Sequence, residues 1–109
     1  MNYNDLVSVA RGDKPADLIL KDARIINTFS GKINDGDIAI YQNRIAGVGD
    51  YKNAKQVIKM NNTLVAPSLI DGHIHLESSM LHPVNYARIT IPRGILTSIT
   101  DLHEITNVC

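Results

Sequence analysis

Ser68-Leu69-Ile70-Asp71-Gly72-His73-Ile74-His75 decides how the chain is read. An aliphatic run ends in polar residues, the pattern of a buried strand whose carboxyl end reaches a functional rim. Pro83 then suits the first turn of a helix that runs to about Ile91. Pro92-Arg93-Gly94 ends it, and Ile95 to Thr100 reads as a second strand followed by Asp101-Leu102-His103-Glu104. Strand, helix, strand at this spacing is one βαβ unit, which implies parallel pairing.

Upstream of Pro67 the pattern is different. Asn4 is placed to cap a short helix over roughly residues 5–11, with Gly12 as its stop. Leu18 to Ile26 reads as a strand, with turns at Phe29-Ser30-Gly31-Lys32 and Asn34-Asp35-Gly36. Asp37 to Tyr41 and Arg44 to Val48 are short strands joined at Gln42-Asn43, where Asn tolerates positive φ. Val57 to Met60 and Thr63 to Ala66 form a further pair turned by Asn61-Asn62. Short strands at this spacing suggest a small β-sandwich or barrel portion. The expected class is therefore mixed α and β, divided into residues 1–66, a β-sandwich portion, and residues 67–109, the start of a β/α barrel.

Composition narrows the function classes. The chain has 109 residues, 44% hydrophobic and 20% charged, which is ordinary for a globular protein. Its formal net charge is zero and aromatic residues are few, which argues against a nucleic-acid partner. The single cysteine, Cys109, excludes an internal disulfide framework and a cysteine-based zinc site. No stretch reaches transmembrane length and the first residues lack an apolar signal core, so no membrane partner and a cytoplasmic location are expected.

His73 and His75 carry the chemical signal. Residues i and i+2 of a strand share a face, so both imidazoles can approach one ion. Asp71 and Glu77 have the same parity and extend that file if the strand stays regular. Two exposed polar positions explain the pair equally well, and a bare His-x-His does not choose between these readings. His103 and Glu104 follow the next strand, at the same rim of a parallel sheet, where they can move protons or orient a substrate. A polar loop capped by Asp101 is the alternative. Gly47-Val48-Gly49 lacks the third glycine of a dinucleotide fingerprint.

Several stretches are familiar as a set. Residues 16–27, with Gly36-Asp37-Ile38-Ala39-Ile40 and Arg44-Ile45-Ala46-Gly47-Val48-Gly49, resemble the opening strands of amidohydrolase-superfamily enzymes. Val65 through His75 resembles their first barrel strand with its histidine pair. His75-Leu76-Glu77-Ser78-Ser79-Met80-Leu81 and Asp101-Leu102-His103-Glu104-Ile105-Thr106-Asn107-Val108 are similar to segments of the adenine deaminase family. The chain departs from the family pattern at Pro67-Ser68-Leu69, where Pro-Gly-Phe is usual, and at Leu102, where proline is usual.

The resemblance implies a TIM-type barrel and hydrolysis of a purine substrate, adenine, to hypoxanthine and ammonia. It implies a divalent metal, Mn2+ with Fe2+ or Zn2+ as alternatives, held by His73 and His75, with Glu77, His103 and Glu104 as catalytic candidates. Such a barrel needs on the order of 250 residues, and this chain offers two of its strands. The expectation is a truncated chain, inactive alone, that acts through a homo-oligomer or a complementing chain. A dihydroorotase-like or deacetylase-like hydrolase and a non-catalytic interaction module are the other readings.

Overall fold

The computed structural model describes residues 2–103. It is mixed α and β, mostly strands with few helices, and divides into two compact units between Ala66 and Pro67.

The first unit opens with helix α1, Tyr3–Ala10. Its cap is Asn2, whose side chain accepts the Asn4 N–H at 3.0 Å, so the helix starts earlier than the Asn4 reading expects. Strand β1, Ala16–Asn27, runs antiparallel to β2, Lys32–Tyr41. Asn27 Oδ1 accepts the N–H groups of Phe29 and Ser30 and holds the turn between them. Asn34-Asp35-Gly36, expected as a turn, lies inside β2 opposite Ile25, Arg24 and Ala23. The ladder to β1 supplies the backbone partners that local turn propensity cannot.

β3, Arg44–Gly49, pairs antiparallel with β2. Positive φ in the intervening turn falls on Gln42, not Asn43, and the Gln42 N–H donates to Asp17 Oδ2 at 2.7 Å. β4, Ala54–Lys59, and β5, Leu64–Val65, do not form the expected hairpin. Each pairs in parallel with β1, β4 along Ala16–Lys21 and β5 at Arg24 and Ile25. The order is β3-β2-β1-β4, with β5 also on β1. The described residues of the first unit thus form a single sheet, and the expected sandwich is not seen among them. Val9 of α1 packs on Ala16, Ile19 and Ala39 to make the core, flanked by Tyr41, Ala46, Tyr51 and Ala54.

β1 changes partner at a bulge. Between Leu20 and Ala23 it carries one residue more than β2 does between Ile38 and Gly36. Asp22 adopts φ 57° there. Asp37, only 3% exposed, sits opposite and accepts the Asp22 N–H at 3.0 Å, the Tyr51 N–H at 3.0 Å and Lys21 Nζ at 2.7 Å. Burial pushes its carboxyl up; the Lys21 ammonium and the two backbone N–H groups outweigh that and hold it below the ordinary 3.8.

The second unit contains β6, Leu69–Ile74, helix α2, Pro83–Thr90, and β7, Ile95–Thr100, with β6 and β7 parallel. His82 caps α2, its Nδ1 accepting the Val84 N–H at 3.3 Å. Gly94, at φ 88°, closes the 3-10 turn Ile91–Arg93 in the left-handed region that glycine adopts at least cost. Leu69, Ile70, Leu96 and Ile99 are each more than half exposed on this two-stranded sheet.

Replacing Asp37 takes the acceptor from two part-buried N–H groups, those of Asp22 and Tyr51, and leaves the Lys21 ammonium with only its longer contacts to Asp50 and the Tyr51 carbonyl. Asp37→Ala should lower the unfolding free energy by about 2–3 kcal/mol, read by urea denaturation at neutral pH. Because the folded carboxyl titrates below its unfolded value, its contribution is present above the ordinary 3.8 and is lost as pH falls through the folded value. Acid titration of the folded fraction should therefore show a loss below about pH 4 that Asp37→Asn reduces.

Candidate functional site

His73 lies near the end of β6 and His75 follows immediately after it. Their Nε2 atoms are 3.2 Å apart, and the rings meet edge to face with centroids at 4.8 Å. Both are exposed. Two imidazole nitrogens that share an ion at about 2.1 Å each stand roughly 3.0–3.4 Å apart at ordinary coordination angles. The separation matches that of two nitrogens on one cation and equally that of a hydrogen bond between the two rings, and neutral imidazole suits divalent ions.

Strand register explains how the two histidines come together. Asp71 pairs with Ser98 and Ile74 with Thr100, so β6 spends three steps where β7 spends two. That bulge, at Gly72-His73, puts Asp71 on the face shared by Ser98, Thr100 and Ile74. The continuous file of Asp71, His73, His75 and Glu77 expected from sequence parity is therefore broken. Asp71 turns to other work: Oδ1 accepts the His73 N–H at 3.2 Å, and Oδ2 lies 3.4 Å from the Tyr86 hydroxyl, itself 3.1 Å from Ser98 Oγ.

Glu77 leaves the file for a different reason. Leu76, 6% exposed, takes helical φ and ψ, and Glu77–Ser79 forms a 3-10 turn. The His75 carbonyl accepts the Ser78 N–H at 3.1 Å, which anchors the backbone just after the histidine pair. Ser79 Oγ donates to the Leu76 carbonyl and accepts the Leu81 N–H. Backbone bonding thus accounts for the Ser79 hydroxyl in this polar run.

His103 follows β7 and comes close to the pair, its ring centroid 5.7 Å from that of His75. Its Nδ1 is 3.2 Å from Asp101 Oδ2. Ligand-capable atoms of His75, Asp101 and His103 all lie within 4.8 Å of one another. Parallel pairing of β6 and β7 is what delivers these groups to one rim. Asp101 was read from sequence only as a helix cap; its position two residues before a histidine at a strand end is the signal for its proximity. Glu104 lies outside the described residues. A concavity of the first unit, lined by Arg11, Lys14, Gly49, Tyr51 and Lys52, contains none of the histidines. No helix among the described residues is long and apolar enough to cross a membrane.

No family model matches the chain. Individual relatives do. An adenine deaminase of Kosmotoga olearia is 56% identical over 108 residues, 99% of this chain and 19% of that protein. One of Dehalococcoides mccartyi is 49% identical over the same shares, and one of Listeria monocytogenes is 48% identical over 94% of this chain and 18% of its own length. The chain thus spans about a fifth of the length of the curated relatives it matches. Along nearly its whole length the chain is thus similar to about a fifth of these adenine deaminases, consistent with an N-terminal portion of such a protein.

Proposed function

We propose that this chain is the metal-holding N-terminal portion of an adenine deaminase, a hydrolase that converts adenine and water to hypoxanthine and ammonia. The observation that carries the reading is the 3.2 Å approach of His73 and His75 at the end of a parallel strand, in a chain about half identical to adenine deaminases. On this reading residues 1–66 are one sheet of a composite β domain and residues 67–109 the first βαβ of a TIM-type barrel. The exposed aliphatic residues of β6 and β7 support the second point, since parallel sheets are ordinarily covered on both faces. The protein works in the cytoplasm, and its partners are a small purine and the polypeptide that completes the site.

His73 and His75 hold a divalent cation, Mn2+ with Fe2+ or Zn2+ as alternatives. Such an ion, when bound, activates water for attack on the amidine carbon of the purine. His103, oriented by the Asp101 carboxylate through Nδ1, carries a proton at Nε2 toward the departing amine. Glu77, on the turn after the pair, and Glu104 orient the base. A catalytic metal normally takes about three protein ligands. Asp101 gathers with His75 and His103, their ligand-capable atoms within 4.8 Å of one another, and the remaining groups of the reaction belong to the four fifths of the relatives that this chain does not match.

A chimaera tests it, with this chain replacing the matching fifth of the Kosmotoga olearia enzyme. Ammonia release from adenine with added Mn2+ should persist in the chimaera and fall about a thousandfold in its His73→Ala and His75→Ala forms. Turnover unaffected by both substitutions would refute the assignment, as would a folded, manganese-loaded chimaera that releases no ammonia.

A further inference from the structure

Beneath the histidine pair lies a second set of polar groups that ligand counting does not reach. Ser98 of β7, Tyr86 of α2 and Asp71 of β6 form a continuous chain of contacts, 3.1 Å and then 3.4 Å. All three are partly buried. The phenol has one proton. If it donates to the Asp71 carboxylate, which can only accept, the Ser98 hydroxyl must donate to the phenol oxygen. The direction of the chain is thus Ser98 to Tyr86 to Asp71. The other carboxylate oxygen of Asp71 takes the N–H of His73 at 3.2 Å.

We infer that Tyr86 is a positioning residue for the histidine pair, acting through Asp71. This inference rests on the reading of His73 and His75 as metal ligands. Three observations support it. The bulge at Gly72-His73 interrupts the regular ladder to β7, and the Asp71 carboxylate supplies the acceptor for the His73 N–H. That carboxylate is itself contacted by a hydroxyl from α2 at 3.4 Å, the kind of outer partner that orients such a group. The His75 side is anchored separately, through its carbonyl and the 3-10 turn. The pair thus has two supports of different origin, and Tyr86 governs only the His73 support.

The specific consequence is that deleting one oxygen atom on α2, remote in sequence from both histidines, should alter how they meet an ion. The experiment compares the 109-residue chain with its Tyr86→Phe and Ser98→Ala variants. Cobalt(II) is the probe, followed by its visible absorption, with thermal melting and the His73 amide signal recorded on the same metal-free samples. Tyr86→Phe should weaken cobalt binding roughly tenfold or more and change the visible band. It should also move the His73 amide resonance, while the melting temperature stays within a few degrees. Ser98→Ala should do the same more weakly, because the phenol keeps its own proton for Asp71.

If wild-type chain takes up no cobalt at the histidines, the metal reading fails. The positioning claim is then decided by the His73 amide signal and the contact between the two rings, either of which Tyr86→Phe should shift. Equal cobalt affinity and an unchanged band in Tyr86→Phe would overturn the inference and leave the metal reading intact. A drop in affinity matched by a collapse of the melting transition would overturn it as well, since the effect would then be one of folding.

Discussion

One buried carboxylate sets the geometry of the first unit. Asp37 accepts from Lys21, from the Asp22 backbone and from the Tyr51 backbone at once. Without it, Asp22 at φ 57° would be a costly conformation with a lost ladder bond. With it, β1 can break stride in mid-strand, and the break divides its outer edge into a stretch for β4 and a stretch for β5. The Met60 N–H then finds the Lys21 carbonyl, the Asn62 N–H finds that of Asp22, and the Arg24 N–H finds that of Thr63. Topology here follows from a local electrostatic arrangement, in which the charge stays ionised because its neighbours are donors.

The second unit repeats the device on a smaller scale. β6 also bulges, and an aspartate, Asp71, takes the N–H at the irregularity. The roles differ in what is gained. In β1 the irregularity redirects backbone pairing, whereas in β6 it redirects side chains, separating Asp71 from the histidines that sequence parity groups with it. Bulges beside functional groups commonly re-aim a side chain in this way.

How far the sequence was legible follows from which interactions are local. The α2 and β7 boundaries could be read because Pro83 and Gly94 impose backbone constraints on their own neighbourhoods. The approach of the His73 and His75 rings could be read because i and i+2 spacing is a local geometric fact. Asn34-Asp35-Gly36 was misread because its turn propensity is overridden by pairing with β1, a distant stretch. The same holds for β4 and β5, whose true partner is β1 rather than each other. Glu77 was misplaced because nothing in His75-Leu76-Glu77 announces that Leu76 turns helical to bury itself. The bulge at Gly72-His73 is a mismatch between two strands, so it has no signature in either strand alone. The support from Tyr86 was hidden for the same reason.

The closeness of His73 and His75 in sequence has a thermodynamic side. An ion gripped by both closes a chelate ring with a single residue between its anchors. Rings so short cost little entropy to close whether or not the chain is folded. The unfolded polypeptide therefore competes for the ion, and chelation by these two groups alone shifts the folding equilibrium only slightly. Linkage between ion and fold grows when Asp101 and His103 contribute, because only the paired strands bring those donors to the same place. An ion at this rim would thus be its tenant and not its keystone, and the hydrogen bonds of Asp71 with His73 and Tyr86 tie the strand end together without one.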